Sequence, residues 1–410
     1  MKSIKYIILF AIIFCFLKSE GQQDTSRSDK NISVKEADAP VDSSKQRDII
    51  DIIKRVFNRN SPPEGRKSQK LNFSIVPAVG YSLSSGFAVD VSANVAFYTG
   101  DPRQDNLSEI DAETVYDTKS QKILIVRSII WGDANRFKLV TDMRWEKYPI
   151  DTYGLGSAAS NASIDHLVYM YIRTYATIFK KIVPNFYAGF GYNLDDHYNI
   201  SESGTANSTL SDYQRLGGGT QSKSSGVNLD LLFDNRRNPI NPLNGGYASL
   251  FYRRNYQFLG SDSNWQELQF DLRRYFRLSP NSNNILAFWA ISRFTTGNVP
   301  YLDLPSTGSD MYNNGGRGYA EGRFRGKDML YLEGEYRFGI TKNGLLGGVL
   351  FTNAETFTGI QGNQFQKIAP AVGTGLRVKI NKHSNTNVAI DYAAGLYGSH
   401  GFFVNLGEVF

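Results

Sequence analysis

Residues 315–338 read GGRGYAEGRFRGKDMLYLEGEYRF. The second half of this stretch alternates. Leu330, Leu332, Tyr336 and Phe338 fall on one side of an extended chain; Met329, Tyr331, Glu333, Glu335 and Arg337 fall on the other. Successive side chains of a strand point to opposite faces, so the pattern predicts a strand with one apolar and one largely charged face. The first half is Gly-rich and carries Arg317, Arg323 and Arg325. Glycine tolerates unusual backbone and lets a loop approach other backbone closely. If the loop folds into a barrel, Arg317 needs acceptors, and Glu335 is a natural partner for a charge-assisted contact. If the loop stays in solvent, Arg317 faces Glu335 across water. Spacing alone leaves both readings open.

The composition points the same way. The chain has 410 residues with 24 Tyr, 26 Phe and 38 Gly, yet its mean hydropathy is −0.34. A transmembrane barrel combines these features, because lipid-facing apolar residues alternate with lumen-facing polar ones. Beyond the start of the chain there is no run of about 20 apolar residues such as a membrane helix needs. The start itself, MKSIKYIILFAIIFCFLKSEGQQ, reads as a secretory signal peptide over residues 1–21, with Lys2 and Lys5 before an apolar core at 6–17. The single cysteine, Cys15, lies inside it, so the mature chain is expected to have no disulfide, thiol nucleophile or cysteine-based metal site. The formal net charge of +6 is dispersed among acids, with no basic stripe interleaved with aromatics, which argues against a nucleic-acid partner. Residues 22–70 read as a polar, largely disordered leader. Within it, 49–57 fits a short amphipathic helix, either a plug, cap or interfacial element or a helix without a special role.

From residue 71 the chain alternates almost to its end. Extended candidates are 71–79, 86–98, 121–131, 136–147, 164–178, 185–194, 222–233, 246–255, 265–277, 285–295, 328–338, 344–353, 369–380, 386–397 and 401–410. Most have the length of about 9–11 residues that a tilted strand needs to cross a bilayer, or slightly more. Short connections (131–136, 178–185, 338–344, 380–386) alternate with long polar ones (99–120, 149–163, 195–221, 296–327, 354–368). Short periplasmic turns and long extracellular loops are the outer-membrane pattern. The expected fold is therefore all-β, a transmembrane antiparallel barrel over 71–410. Such barrels have even strand numbers, so sixteen are expected, the missing strand lying near the N-terminus. A soluble β-sandwich is the alternative.

Signals for chemistry are sparse. His166, His197, His383 and His400 have no metal-ligand spacing, and His197 and His400 fall in predicted loops or at strand ends. A hydrolytic Ser–His pair would have to be assembled by folding, so no enzyme and no cofactor is expected. Gly217–Gly219 precedes a strand and reads as a loop tip. The stretch DNRRNPINPLNGG at 234–246 is more informative: two prolines and paired glycines exclude a regular strand, and Asp, Asn and Gly suit a rigid turn that sets strand register. The loop alternation puts this turn on the periplasmic side.

Two of these stretches resemble a known family. Gly316-Arg317-Gly318-Tyr319 resembles the Arg-Gly-Phe/Tyr signature on the sixth extracellular loop of the outer membrane protein 85 superfamily, the BamA/TamA type or bacterial surface antigen family. Asp234, Arg236, Arg237, Asn238 and Pro239, with Gly245 and Gly246, resemble that family's turn before its ninth strand, and 332–338 resembles its twelfth strand. Four more strands would end the barrel at Phe410. Phe402, Val404, Leu406 and Phe410 share a face of the last predicted strand, which looks like the terminal aromatic signal for outer-membrane targeting. The resemblance implies that Arg317 reaches into the lumen and pairs with acids on the twelfth and thirteenth strands. Glu335 matches the first acid; the second falls at Asn353, which can accept a hydrogen bond but carries no charge, and Arg317 is expected to be held by Glu335 with help from Asn353 or from the carboxylate of Glu355 on the same face. Family members usually carry soluble POTRA domains before the barrel, and 22–70 is too short and polar for one. The implied location is the bacterial outer membrane and the implied role is protein insertion or translocation through a weak seam between first and last strands. Lipids, client proteins or separate periplasmic proteins are the expected partners. The alternatives are a closed or plugged barrel with a structural or membrane-homeostasis role, and a diffusion pore.

Overall fold

Sixteen strands form one antiparallel sheet in strict sequence order, each pairing with the next. They are β1 (Asn72–Ser82), β2 (Gly86–Phe97), β3 (Ser108–Asp117), β4 (Lys122–Trp131), β5 (Phe137–Thr152), β6 (Asp165–Val183), β7 (Phe186–Glu202) and β8 (Gln221–Asp234), followed by β9 (Gly245–Asn255), β10 (Trp265–Arg277), β11 (Ile285–Gly297), β12 (Asp328–Gly339), β13 (Leu346–Phe357), β14 (Ala369–Asn381), β15 (Thr386–Gly395) and β16 (His400–Leu406). This computed structural model describes residues 46–48 and 72–410, apart from 102–104, 160–163, 204–209, 237, 280–281, 360–363 and 383–384. The expected signal peptide, the helix at 49–57, Arg237 and His383 lie outside the described residues.

The sixteenth strand is β3, inside the stretch 99–120 that the sequence suggested was a long loop. Its outward face is Ile110, Ala112, Thr114 and Tyr116, and its inward face carries Glu109, Asp111 and Glu113. The acids made it read as loop. They are accommodated because the barrel interior supplies partners: Asn94 Nδ2 donates to Asp111 at 2.6 Å, and Arg127 on β4 lies 3.6 Å from Glu113. With β3 in place, antiparallel order puts the connection 98–107 at the same end as the short connections 132–136 and 184–185. That end is called the turn end below, and the opposite one the loop end.

Strands β5, β6 and β7 run to 16, 19 and 17 residues, well beyond what a bilayer crossing requires. The expected loops 149–163 and 195–221 are shortened accordingly. The extra length has a packing cause. Tyr148, Ile150, Leu167, Tyr169, Tyr171 and Ile200 all point inward and bury themselves against Tyr301 and Leu304 of the β11–β12 connection. The outward face is an apolar belt: Phe87, Leu124, Trp145, Phe190, Leu229, Leu332, Leu350, Val372 and Phe402 are all exposed. A contiguous apolar surface of this kind requires lipid.

The wall has one discontinuity. β1 and β16 approach each other, but among the described residues no ladder pairs them, whereas every other neighbouring pair is joined by one. β16 is also the shortest strand, at seven residues.

The placement of β3 can be tested by labelling. In bilayer-embedded protein, a hydrophilic maleimide should label Glu113→Cys from the lumen and spare Thr114→Cys, which faces lipid. Equal labelling of both would restore the loop reading.

Candidate functional site

The β11–β12 connection, residues 298–327, turns into the barrel and is buried along much of its length; Arg317, Tyr319, Arg323, Phe324 and Arg325 are each 3 % exposed or less. We call it the lumen loop. The glycines flanking Arg317 allow the approach. Gly316 and Gly318 have φ of 80° and 107°, and a Cβ there would lie 2.5 Å from Thr307 Cγ2 and 2.7 Å from Ala371 Cβ respectively.

Arg317 closes a ring of alternating charges. Its Nη2 donates to Glu335, whose other oxygen accepts from Arg337 Nε at 2.6 Å. Arg337 lies 3.7 Å from Glu408, which accepts from Arg377 Nε at 2.8 Å. Arg377 Nη1 donates to Asp391 at 2.5 Å, and Asp391 accepts from Arg317 Nη1. Glu333 joins from the side, accepting from Arg317 Nη2 and from the Tyr331 hydroxyl. The guanidinium also stacks 3.6 Å from the centre of the Phe351 ring. Every ionic side chain here is 5 % exposed or less. The ring thus ties the lumen loop to β12, β14, β15 and the tail after β16. Such a network stabilises little against an apolar core of equal shape, but removing one member leaves buried charge without compensation.

The partners of Arg317 differ from those expected at two positions. Glu355 does not reach the guanidinium; it accepts from Thr307 Oγ1 at 2.9 Å and so holds the loop through a different residue. Asn353 does not accept from Arg317 either: its Nδ2 donates to the Arg317 main-chain oxygen at 2.9 Å. The third carboxylate comes from Asp391, on the polar face of β15. Asp391 lies within the expected strand 386–397, but nothing local linked it to residue 317. Glu333 was legible on the charged face of β12.

The tail corrects a further expectation. Phe402 and Leu406 face outward, but the strand stops at Leu406. Gly407 adopts φ 94° and turns the chain inward. Phe410, 3 % exposed, therefore stacks on Trp289 with ring centres 5.1 Å apart, and its main-chain oxygen accepts from Arg337 Nη2 at 3.0 Å. It does not share the lipid face of Phe402, Val404 and Leu406. Asn314 of the lumen loop donates to the Val409 oxygen at 2.9 Å.

The loop is held elsewhere on the wall as well. Arg144 Nη2 donates to Met311 O at 2.8 Å, and Arg293 Nη1 to Ser309 Oγ at 2.6 Å. Tyr319 Oη donates to Pro370 O at 2.6 Å and accepts from Leu396 N at 2.9 Å. At the turn end, the 235–244 connection holds its own shape. Asp234 takes Arg236 Nε and Nη2, each at 2.9 Å, Asn235 Oδ1 accepts from Gly246 N, and Asn238 Oδ1 accepts from Ile240 N. Pro239 sits exposed at its bend. The turn reaches the 382–385 turn through Asn241 Nδ2 to Asn385 O at 3.2 Å, and the tail through Glu408 N to Ile240 O.

His197 lies within β7 rather than in a loop, buried and stacked on Tyr171 at 4.3 Å. Ser224 donates to Asp303 at 2.5 Å, while His197 Nδ1 is 3.9 Å from the other Asp303 oxygen. The Ser224 hydroxyl thus donates to Asp303 and not to the His197 ring. In the lumen loop, burial pushes the Glu321 carboxyl up to about 7, against a hydrogen bond from the Tyr148 hydroxyl at 2.6 Å. Burial and the nearby Asp195 push Asp303 up to about 7.

A sixteen-stranded membrane barrel whose lumen is crossed by an arginine-anchored loop is a specific class of architecture. The Omp85 superfamily domain matches residues 109–396, and the chain belongs to that superfamily. Its members are outer-membrane transporters or assembly factors rather than enzymes. Among solved structures, the chain is similar to BamA from Haemophilus ducreyi lacking POTRA domains 1–3 (14 % identity, 82 % of this chain and 69 % of that one, TM-score 0.51). It is also similar to CdiB from Acinetobacter baumannii (14 %, 83 % and 60 %, TM-score 0.54) and CdiB from Escherichia coli (8 %, 83 % and 67 %, TM-score 0.54). At such identities the likeness is one of fold, and this chain spans only part of the length of each. No curated protein matches the chain in sequence.

Arg317→Ala should destabilise the barrel by about 3–5 kcal/mol, read as a lower temperature for loss of the compact band on a heated gel. Asp391→Asn should be more damaging than Glu355→Gln, which keeps an acceptor for Thr307; the reverse order would remove Asp391 from the anchor. Because Glu321 and Asp303 bind a proton more tightly in the docked loop than in a released one, docking is strongest below their ordinary range and weakens as pH rises through about 7. Protease resistance of the lumen loop should fall between about pH 5 and pH 8, with a shallower slope in Glu321→Gln.

Proposed function

We propose that the protein resides in the bacterial outer membrane and inserts or translocates other proteins there. The observation that carries this reading is the seam: fifteen strand pairs are laddered, and β1 and β16 meet without a ladder among the described residues. An edge left unpaired in lipid is costly, so it favours pairing with a strand from another chain. Superfamily membership supports the same role. The lumen loop and the inward tail hold the β16 side of the seam from within, leaving the β1 side to move. Lipid and the client chain are the partners, and no cofactor takes part.

One observation favours the second reading, a closed barrel with a structural role beside separate partner proteins. The lumen is crossed by the loop, and the tail after β16 is tied inside by Arg337 and Arg377. The same plug weighs against a diffusion pore.

The seam can be locked. A Cβ on Gly401 would lie 2.6 Å from Leu83 Cγ, so Leu83→Cys with Gly401→Cys is placed to form a disulfide across the loop end of the seam. Liposomes containing the wild type should speed the folding of an eight-stranded barrel client. The oxidised double variant should not, and reduction should restore the effect. Acceleration that survives oxidation would sink the seam mechanism, and no acceleration by wild type would favour the structural reading.

A further inference from the structure

At the turn end the lumen opens into a cavity of about 270 Å³ whose lining is basic. Lys379 and Lys342 contribute cations to it; Arg337 and Arg377 also line it but are already matched by Glu335, Glu408 and Asp391, and Glu408 is the one lining carboxylate among the described residues. Glu408 is already engaged by Arg377 Nε and by Asn387 Nδ2 at 2.7 Å. Arg337 is 4 % exposed, yet its Nη1 has no hydrogen-bond partner. That nitrogen has no exposed surface, so an incoming carboxylate meets Lys379 and Lys342 rather than Arg337.

The rim of this cavity already holds a piece of peptide. Residues 46–48 of the leader bridge two turns across it. Arg47 N donates to Asn343 O at 2.9 Å, and Lys382 N donates to Asp48 Oδ2 at 2.9 Å. Asp48 is 2 % exposed, and its charge acts on Lys379. Gln46 lines the cavity, its Cγ 3.5 Å from where a Cβ on Gly344 would stand. The rim thus offers a main-chain acceptor, a main-chain donor and excess positive charge, which is the chemistry of an acidic peptide site. The cavity has room for one or two acidic side-chain ends.

We propose that the turn-end cavity is a binding site for an acidic peptide segment, and that residues 46–48 are this chain's own occupant of its rim until such a partner replaces them. The inference is independent of the insertion reading, since it rests on the cavity and its rim alone. Tethering puts residues 46–48 at an effective concentration of about a millimolar, so they mask the site from weak ligands. A partner must bring more negative charge to Lys379 and Lys342 than Asp48 alone does.

The test is anisotropy of fluorescein-labelled hexaglutamate with the full chain in detergent micelles. Arg47→Pro removes the N–H that holds the occupant. It also removes a positive charge, so simple electrostatics predicts weaker binding of an acidic probe, whereas release of the occupant predicts binding about tenfold tighter than wild type. Adding Lys379→Gln should reverse that gain. Should Lys379→Gln misfold, Lys342→Glu on the exposed rim should reverse it instead. Hexaglutamine should not bind. The proposal is overturned if Arg47→Pro weakens or does not change binding, if the folded lysine variants leave it intact, or if inorganic phosphate displaces the probe as well as unlabelled hexaglutamate does.

Discussion

A guanidinium taken out of water must bring its counter-charges with it, and Arg317 meets that condition inside the lumen with three carboxylates. Much else in the structure depends on this one burial. The loop must be long enough to descend from the loop end, and glycines must flank the arginine so that backbone can come close. The carboxylates must themselves be neutralised, which is the task of Arg337 and Arg377. Closing the circuit through Glu408 then requires the chain after β16 to bend inward. The turn at Gly407 and the burial of Phe410 follow from the same electrostatic demand as the loop.

The ring also divides the barrel mechanically. Its members come from β12, β14, β15, the loop and the tail, so the wall on the β16 side of the seam is braced from within. β1 pairs with β2, and among the described residues it has no second strand partner. One lip of the seam is therefore anchored through charge and the other only through a single ladder. A second charged chain on the far wall, Arg144–Asp142–Arg173–Asp195–Arg253, supports the long strands β5 to β9 that wall the outer part of the loop.

The sequence made the wall legible wherever one face was apolar. β10, β12 and β15 follow their alternation closely. β3 was hidden because its inward acids and small outward residues look like a loop until the partners Asn94 and Arg127 are known. The excess length of β6 was hidden because its inward face is aromatic, so both faces of the strand look alike. At the site, Arg317 and Glu335 were visible from one stretch of chain. Asp391 and Glu408 were not, because their role arises from strands and a tail that meet only once the barrel curves. Phe410 was placed on the face of Phe402, Val404 and Leu406 by extending a period of two past Leu406, and a left-handed Gly407 ends that period. Glu355 was placed near the loop correctly but with the wrong partner, since alternation gives a face and not a distance.

Hydrogen–deuterium exchange across 315–326 in the purified barrel would probe the central claim most directly. Amides held inside the lumen, such as Gly322 N on Thr307 O and Tyr319 N on Gly316 O, should exchange as slowly as those of β12. Exchange there as fast as in the exposed 340–345 turn would mean that the loop is not anchored, and that the charge ring does not hold the barrel together.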